Sequence, residues 1–273
     1  MGGRHPVTDM PHRHDGAGLL GLPEAARQQH RITKKMLAAQ FEDQAPTDAR
    51  LIAKAVTLAQ LVGILRPETI QVPKYQDSER TVVDIPVLEV VLAGRTKAAD
   101  RTRVTELVHR SMAKPVVLLA YMPDCATTLS LALSHVSRTD PTRSTSVIDA
   151  HVVVPAGQIE PGTLHLDRLD RTNMWALYRD LVRTAAADGR PASTALQAAD
   201  AIALRRRLTD LELELTSVVR DARRAKNQQR RIELNTQARM LRLQIEGAAG
   251  TLYRADHKHS VTDKRLPTPP SSP

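Results

Sequence analysis

The chain has 273 residues, of which 41% are hydrophobic and 25% charged, and it carries a formal net charge of +9. That balance supports one or two packed domains, excludes a wholly disordered chain, and favours an anion-rich partner such as nucleic acid, an acidic protein or an anionic surface. With one Phe, one Trp and four Tyr, the chain has too few rings for the aromatic platforms on which single-stranded bases stack.

Residues 1–22 are rich in Gly, Pro and His without periodicity and read as a disordered tail, in which His5, His12 and His14 have nothing to fix a metal geometry. Helical patterning begins near Pro23, with Leu37 and Phe41 as a sparse apolar face. A second helix is expected from about Thr47 to Leu61, its stripe being Leu51, Ile52, Ala55, Val56 and Ala59, ended by Gly63 and Pro67. The period then changes. Ile70–Pro73 reads as a short strand and Thr81–Leu92 as a longer one, demoted in part to an edge or a bulge by Pro86. A helix over Ala98–Met112 follows, and then Val116–Tyr121, a continuous apolar run of the kind buried on both faces of a sheet. Thr127–Val136 alternates, with Leu129, Leu131 and Leu133 opposite Ser130, Ala132 and Ser134. After a polar loop, Val147–Val154 is the last expected strand. From Leu169 the chain returns to helix, capped by Asp170 or Thr172 and stopped at Asp188-Gly189-Arg190-Pro191. Residues 23–190 are therefore expected to form an α+β domain, a small mixed β-sheet with covering helices.

Beyond Pro191 two heptad seams appear. Leu204, Leu208, Leu211, Leu215, Val218, Ala222 and Ala225 form the first; Leu234, Ala238, Leu241, Ile245, Ala248 and Leu252 form the second, in a different register. A break must lie within Ala225–Glu233. Either the chain reverses near Lys226-Asn227-Gln228-Gln229 into an antiparallel helical hairpin, or one long helix with a stutter pairs with a second copy. The hairpin over residues 191–253 is preferred, because it covers its own seam without a second chain. No Gly or Pro marks the turn, but Asn227 tolerates left-handed geometry. Residues 254–273 read as a second disordered tail. Arg220, Arg223, Arg224, Lys226, Arg230 and Arg231 crowd the proposed tip, opposed over residues 220–231 only by Asp221. Guanidinium groups pair with phosphates bidentately, so such a tip would hold nucleic-acid backbone without reading sequence. The same charge on a solvated coiled-coil face is the alternative.

The chain shows no phosphate-cradling Gly-rich loop, nucleophile elbow or paired-His motif, and no cofactor or metal is expected. Asp84 and Glu89 in VDIPVLEVVL are the weak catalytic candidates, as carboxylates of a metal-dependent nuclease. Val91 stands where such a site wants a Lys, and a spacing of five puts the pair on opposite faces of a strand, so surface carboxylates on an edge strand are the plainer account. Ser134 and the adjacent His135 point apart. His109, His151 and His165 lack ligand spacing, and Cys125, the single cysteine, has no evident cationic activator. No apolar run reaches membrane-spanning length, and the N-terminus lacks a signal-peptide core, so a cytoplasmic protein is expected.

Several stretches together resemble a bacterial and archaeal family, domain of unknown function 4391, over about Lys34 to Ala249. They are LVGILRPETIQV (Leu61–Val72), VLEVVL (Val87–Leu92), KPVVLLAY (Lys114–Tyr121), LSLALSHVSR (Leu129–Arg138), NMWALYRDLV (Asn173–Val182) and RRIELN (Arg230–Asn235). The resemblance implies no reaction. It implies a setting beside helicases and DNA methyltransferases in phage defence. The expectation is thus a non-catalytic accessory subunit of a nucleic-acid-processing assembly, docked on a helicase or methyltransferase. A coiled-coil oligomerisation scaffold and a metal-dependent nuclease are the alternatives.

Overall fold

The computed structural model describes residues 16–43, 45–122, 125–136 and 146–253. In chain order these form α1 (Gly16–Leu19), β1 (Arg27–Ile32), α2 (Lys34–Ala38), α3 (Pro46–Ala55), β2 (Val56–Leu65), α4 (Pro67–Ile70), β3 (Tyr75–Gln76) and β4 (Thr81–Val82). Then come β5 (Ile85–Leu92), α5 (Ala98–Arg110), β6 (Val117–Met122), β7 (Cys125–Val136), β8 (Ser146–Pro155), α6 (Met174–Ala186), α7 (Ala198–Arg224) and α8 (Gln228–Leu252).

Strands β1-β2-β5-β6-β7-β8 make one mixed sheet in that order, and β3 and β4 pair as a separate hairpin. β5 and β6 run parallel; the other neighbours are antiparallel. Parallel neighbours need a crossover longer than a tight turn, and α5 provides it. The fold is α+β, with covering helices and a C-terminal helical pair, as the patterning predicts.

Strand alternation sends residues to two cores. Val87, Val117, Leu119, Leu129, Leu131 and Val154 pack against Leu177, Leu181 and Val182 of α6. From the other face Leu88, Val90, Leu92, Leu118 and Ala120 pack against Ile52 of α3 and Val104, Leu107 and Val108 of α5. Tyr178 of α6 is fully buried, and its hydroxyl ties the first core to the sheet. It lies 2.9 Å from the Val116 carbonyl and 3.0 Å from that of Ala132, and accepts from the Ala132 amide at 3.2 Å.

The structure corrects the reading of the N-terminal third. The segment taken as disordered to residue 22 contributes Ala17, Leu20 and Leu22 to the first core; residues 1–15, with their histidines, lie outside the described residues. Arg27–Ile32 is an edge strand and not helix. Its side chains are nearly all exposed, so it shows no apolar alternation, and its charges suit a sheet edge. The expected helix to Leu61 ends at Ala55, where β2 begins. Apolar residues at 55, 56, 58, 59, 61 and 62 satisfy both periods, and pairing on both sides of β2 decides for the strand. Gly63 fits there because a Cβ would lie 2.5 Å from Leu22 Cδ1. Ile70 closes a helical turn instead of starting a strand. The expected strand Thr81–Leu92 is split by a bend before Ile85, and its second part lies in the middle of the sheet, not at an edge. Pro86 is tolerated there because the ladder to β6 starts one residue later, at Val87. Asn173, not Asp170 or Thr172, caps α6, accepting from the amides of Trp175 and Ala176. The polar loop at 137–145 and the tail at 254–273 lie outside the described residues.

Replacing Tyr178 by Phe should leave the fold intact but strand buried carbonyls, lowering the unfolding free energy by about 1–3 kcal/mol in urea titration. An unchanged midpoint would show that the hydroxyl carries no structural role.

Candidate nucleic-acid interface

The helical arm is rooted on one aspartate. After α6, Asp188 and Gly189 adopt positive φ (56° and 68°), turning the chain sharply. The buried Asp188 carboxylate pairs with Arg205 on α7 and accepts from the Tyr253 hydroxyl, at the end of α8, at 3.4 Å. Arg190 lies 3.8 Å over the Tyr253 ring. Both ends of the arm are thereby held at the same point. Ala198, Ala201, Ile202 and Leu208, with Leu252, belong to the first core of the main body.

From Leu211 outward the two helices have a core of their own. Leu211, Val218 and Ala222 of the first predicted seam meet Leu234, Ala238 and Leu241 of the second, with Leu215, Ala225 and Ile245 packed against them. Across the pair Gln237 Nε2 donates to Glu214 Oε1 at 3.3 Å. The predicted hairpin is therefore present, and the reversal lies at Ala225–Asn227, between the end of α7 and the start of α8. Asn227 does not turn the chain through left-handed geometry. Its φ is −81°, and its side chain caps α8 by accepting from the Arg230 amide. From Leu211 to Ala225 the arm projects roughly 20 Å.

At the far end Arg220, Arg223, Arg224, Lys226, Arg230 and Arg231 are all exposed. Arg220 contacts Asp221 at 3.9 Å, and Arg230 contacts Glu233 at 3.2 Å. Among the described residues, Arg223, Arg224, Lys226 and Arg231 have no carboxylate within ion-pair distance. Exposed pairs of this kind contribute little, so the tip remains a cluster of available cations.

The weak catalytic candidates are not brought together. Asp84 precedes β5 and is paired with Lys114 at 2.7 Å. Glu89 is not a surface carboxylate: it is 3% exposed, on the face of β5 toward α1, and accepts from the Tyr121 hydroxyl at 3.0 Å and the Gly16 amide at 3.2 Å. Five residues of extended chain separate the two by about 16 Å, too far for one ion to bridge. Among the described residues no group of three or more His, Cys, Asp or Glu is placed to hold a metal ion.

Two arrangements had no sequence signal. His109 of α5 and His151 of β8 both hydrogen-bond the hydroxyl of Ser130 on β7, at 2.9 and 2.8 Å, with their rings 5.4 Å apart. Three elements supply these groups, so no spacing along the chain reveals them. Ser130 is wholly enclosed, which suits a polar link inside the core and not a nucleophile. Burial, with His151 beside it, pushes His109 down to about 3, and burial likewise lowers His151. The second arrangement corrects the reading of Cys125. Arg101 Nη1 lies 3.5 Å from its sulfur and 3.5 Å from that of Met122, beside a cavity of about 240 Å³ lined also by Leu92, Thr105 and Thr128.

With this geometry in hand, the sequence profile of one family covers residues 20–245, reaching from the buried Leu20 through the sheet to the arm and its tip. The chain belongs to the family described as domain of unknown function (DUF4391). No curated protein and no solved structure matches it. The DUF4391 match takes in β1 and β2, the strands that patterning missed. Among the described residues no helix of this DUF4391 chain is long and apolar enough to cross a membrane.

The His109–Ser130–His151 link makes stability depend on pH. Folded His109 stays neutral far below 6.5, where the unfolded imidazole takes up a proton. The unfolded state therefore binds the extra proton, and stability that is full above pH 6.5 is lost as pH falls toward 3. His109 contributes a slope of about 1.4 kcal/mol per pH unit in that window. Denaturant titrations between pH 7 and pH 4.5 should show His109→Gln losing about one proton's share of the slope. An identical slope in the variant would contradict the assignment.

Proposed function

We propose that this protein is a non-catalytic accessory subunit of a nucleic-acid-processing assembly, in which the arm tip holds nucleic-acid backbone while the α+β body docks a larger enzyme. One observation carries the reading. Six cations stand exposed at the end of a rigid arm, four of them without a carboxylate in reach among the described residues. Phosphate contacts of this kind supply affinity and positioning, not sequence readout, and the scarcity of rings fits the absence of base stacking. A helicase or DNA methyltransferase of an antiviral system is the enzyme we propose the body to serve, on the resemblance alone. The alternative of a scaffold that oligomerises through its heptads is weakened because α7 and α8 already cover each other's seams.

The test is fluorescence anisotropy with 20-base-pair duplexes of unrelated sequence across a salt series. Wild type should bind them alike. Arg223→Glu with Arg224→Glu and Arg231→Glu should lower affinity at least about tenfold and flatten the slope of log K against log salt by roughly 0.9 per lost contact. Affinity and slope equal to wild type would remove the proposal.

A further inference from the structure

The outward face of α8 carries more apolar surface than a solvated helix needs. Ile232, Met240 and Leu243 are 51%, 54% and 54% exposed, although they lie within a 25-residue helix whose opposite side is already buried by α7. At 3.6 residues per turn, Ile232, Thr236, Arg239, Met240, Leu243, Gly247 and Gly250 fall in one sector about 100° wide, diametrically away from Leu234, Leu241 and Leu252. α8 thus has two apolar stripes, one satisfied within the chain and one not.

Two further observations bear on what covers the second stripe. Among the described residues, nothing lies within 4 Å of where a Cβ of Gly247 or Gly250 would stand. Glycine weakens a helix interior, and no described residue gives either position a packing reason. Bare backbone on an exposed stripe lets another helix approach closely. Arg239 lies at one edge of the stripe and Arg231 and Arg242 just beyond that edge, all exposed and without an ion pair among the described residues; Glu246 interrupts this flank, and Glu233, paired with Arg230, stands on the other. We infer that this face docks an amphipathic helix of another protein, apolar on one side and carrying Glu or Asp along the flank that meets these arginines. The face from Ile232 to Gly250 matches a partner of about 18 residues, or roughly 27 Å.

Other occupants fit less well. A second copy crossing antiparallel near Met240 would set Arg239 and Arg242 against their own counterparts. The chain's residues 254–273 carry Arg254, Lys258, Lys264 and Arg265 against Asp256 and Asp263, the wrong sign for a face edged by arginines. A nucleic-acid backbone would satisfy the arginines and leave Ile232, Met240 and Leu243 in water. The surface shares Arg231 with the tip but does not rest on the nucleic-acid reading.

The experiment uses the full chain and a labelled synthetic peptide of roughly 21 residues, three heptads with Leu and Ala on the seam and Glu along one flank, against a copy with Lys for Glu. Anisotropy should show micromolar binding of the Glu peptide and at least about tenfold weaker binding of the Lys peptide. Met240→Ser with Leu243→Ser, and separately Arg239→Gln with Arg242→Gln, should each weaken the Glu peptide about tenfold. Gly247→Leu should weaken it too while raising helix stability by circular dichroism, which separates docking from folding. Arg223→Glu with Arg224→Glu and Arg231→Glu removes a flanking arginine, so it should cost peptide affinity far less than duplex affinity. Equal binding of both peptides, or none at about 100 µM, overturns the inference. So does a dimer in sedimentation that Met240→Ser with Leu243→Ser dissolves, which makes a second copy the occupant. Loss of duplex binding alone in Arg239→Gln with Arg242→Gln would make nucleic acid the occupant.

Discussion

Two leucine-rich stripes in different registers bury one another between α7 and α8, and this mutual burial holds the turn at Ala225–Asn227 away from the body. Either helix alone would expose a row of apolar side chains to water, at a cost of about 25 cal/mol for each Å². Paired, they need no second chain to cover the seam that joins Leu211 to Leu241. The arm is also continuous with the main core at its root, where Ile202, Leu208 and Leu252 join the layer beneath α6. It is an extension of the folded body and not a tethered appendage.

Charge follows the same geometry. Asp210, Glu212 and Glu214 of α7 lie below the tip, on a stretch that also carries Arg239 and Arg242 of α8, whereas at the tip six cations face Asp221 and Glu233. This excess leaves a local positive field at the end of the arm. At the other end, Asp188 is enclosed and takes Arg205, Tyr253 and the chain reversal together. Removing one partner of such a buried pair costs more than the pair is worth in isolation, because the remaining charge stays enclosed. The aspartate thus fixes the angle at which the arm leaves the sheet.

What could be read from the sequence follows the physics of periodicity. The seams from Leu204 and Leu234 repeat for many turns, and their mismatch alone locates the break. β6 and β7 were legible because a short apolar run and a clean alternation admit few alternatives. β1 was not, since an exposed edge strand of Arg, Gln and His has no apolar period to detect. β2 was misread because its apolar residues at 56, 58, 59, 61 and 62 fit a helical stripe continuing α3 as well as a strand. With β2 missed, β5 looked like an edge and Glu89 like a surface carboxylate. The tip arginines could be named in advance because they are local in sequence; His109, Ser130 and His151 could not, because only the packing of α5 on β7 and β8 brings them together.

The pairing of α7 with α8 inside one chain is the claim on which the exposed tip depends. Gln237 and Glu214 meet across that pair, so cysteines at these two positions, with Cys125→Ser to remove the native thiol, report it directly. After treatment with a short bismaleimide, mass analysis under denaturing conditions should find a monomer carrying one internal cross-link, at any protein concentration. Cross-linked dimers that rise with concentration would mean that the seams are covered between chains, and would contradict the hairpin and the placement of its arginines.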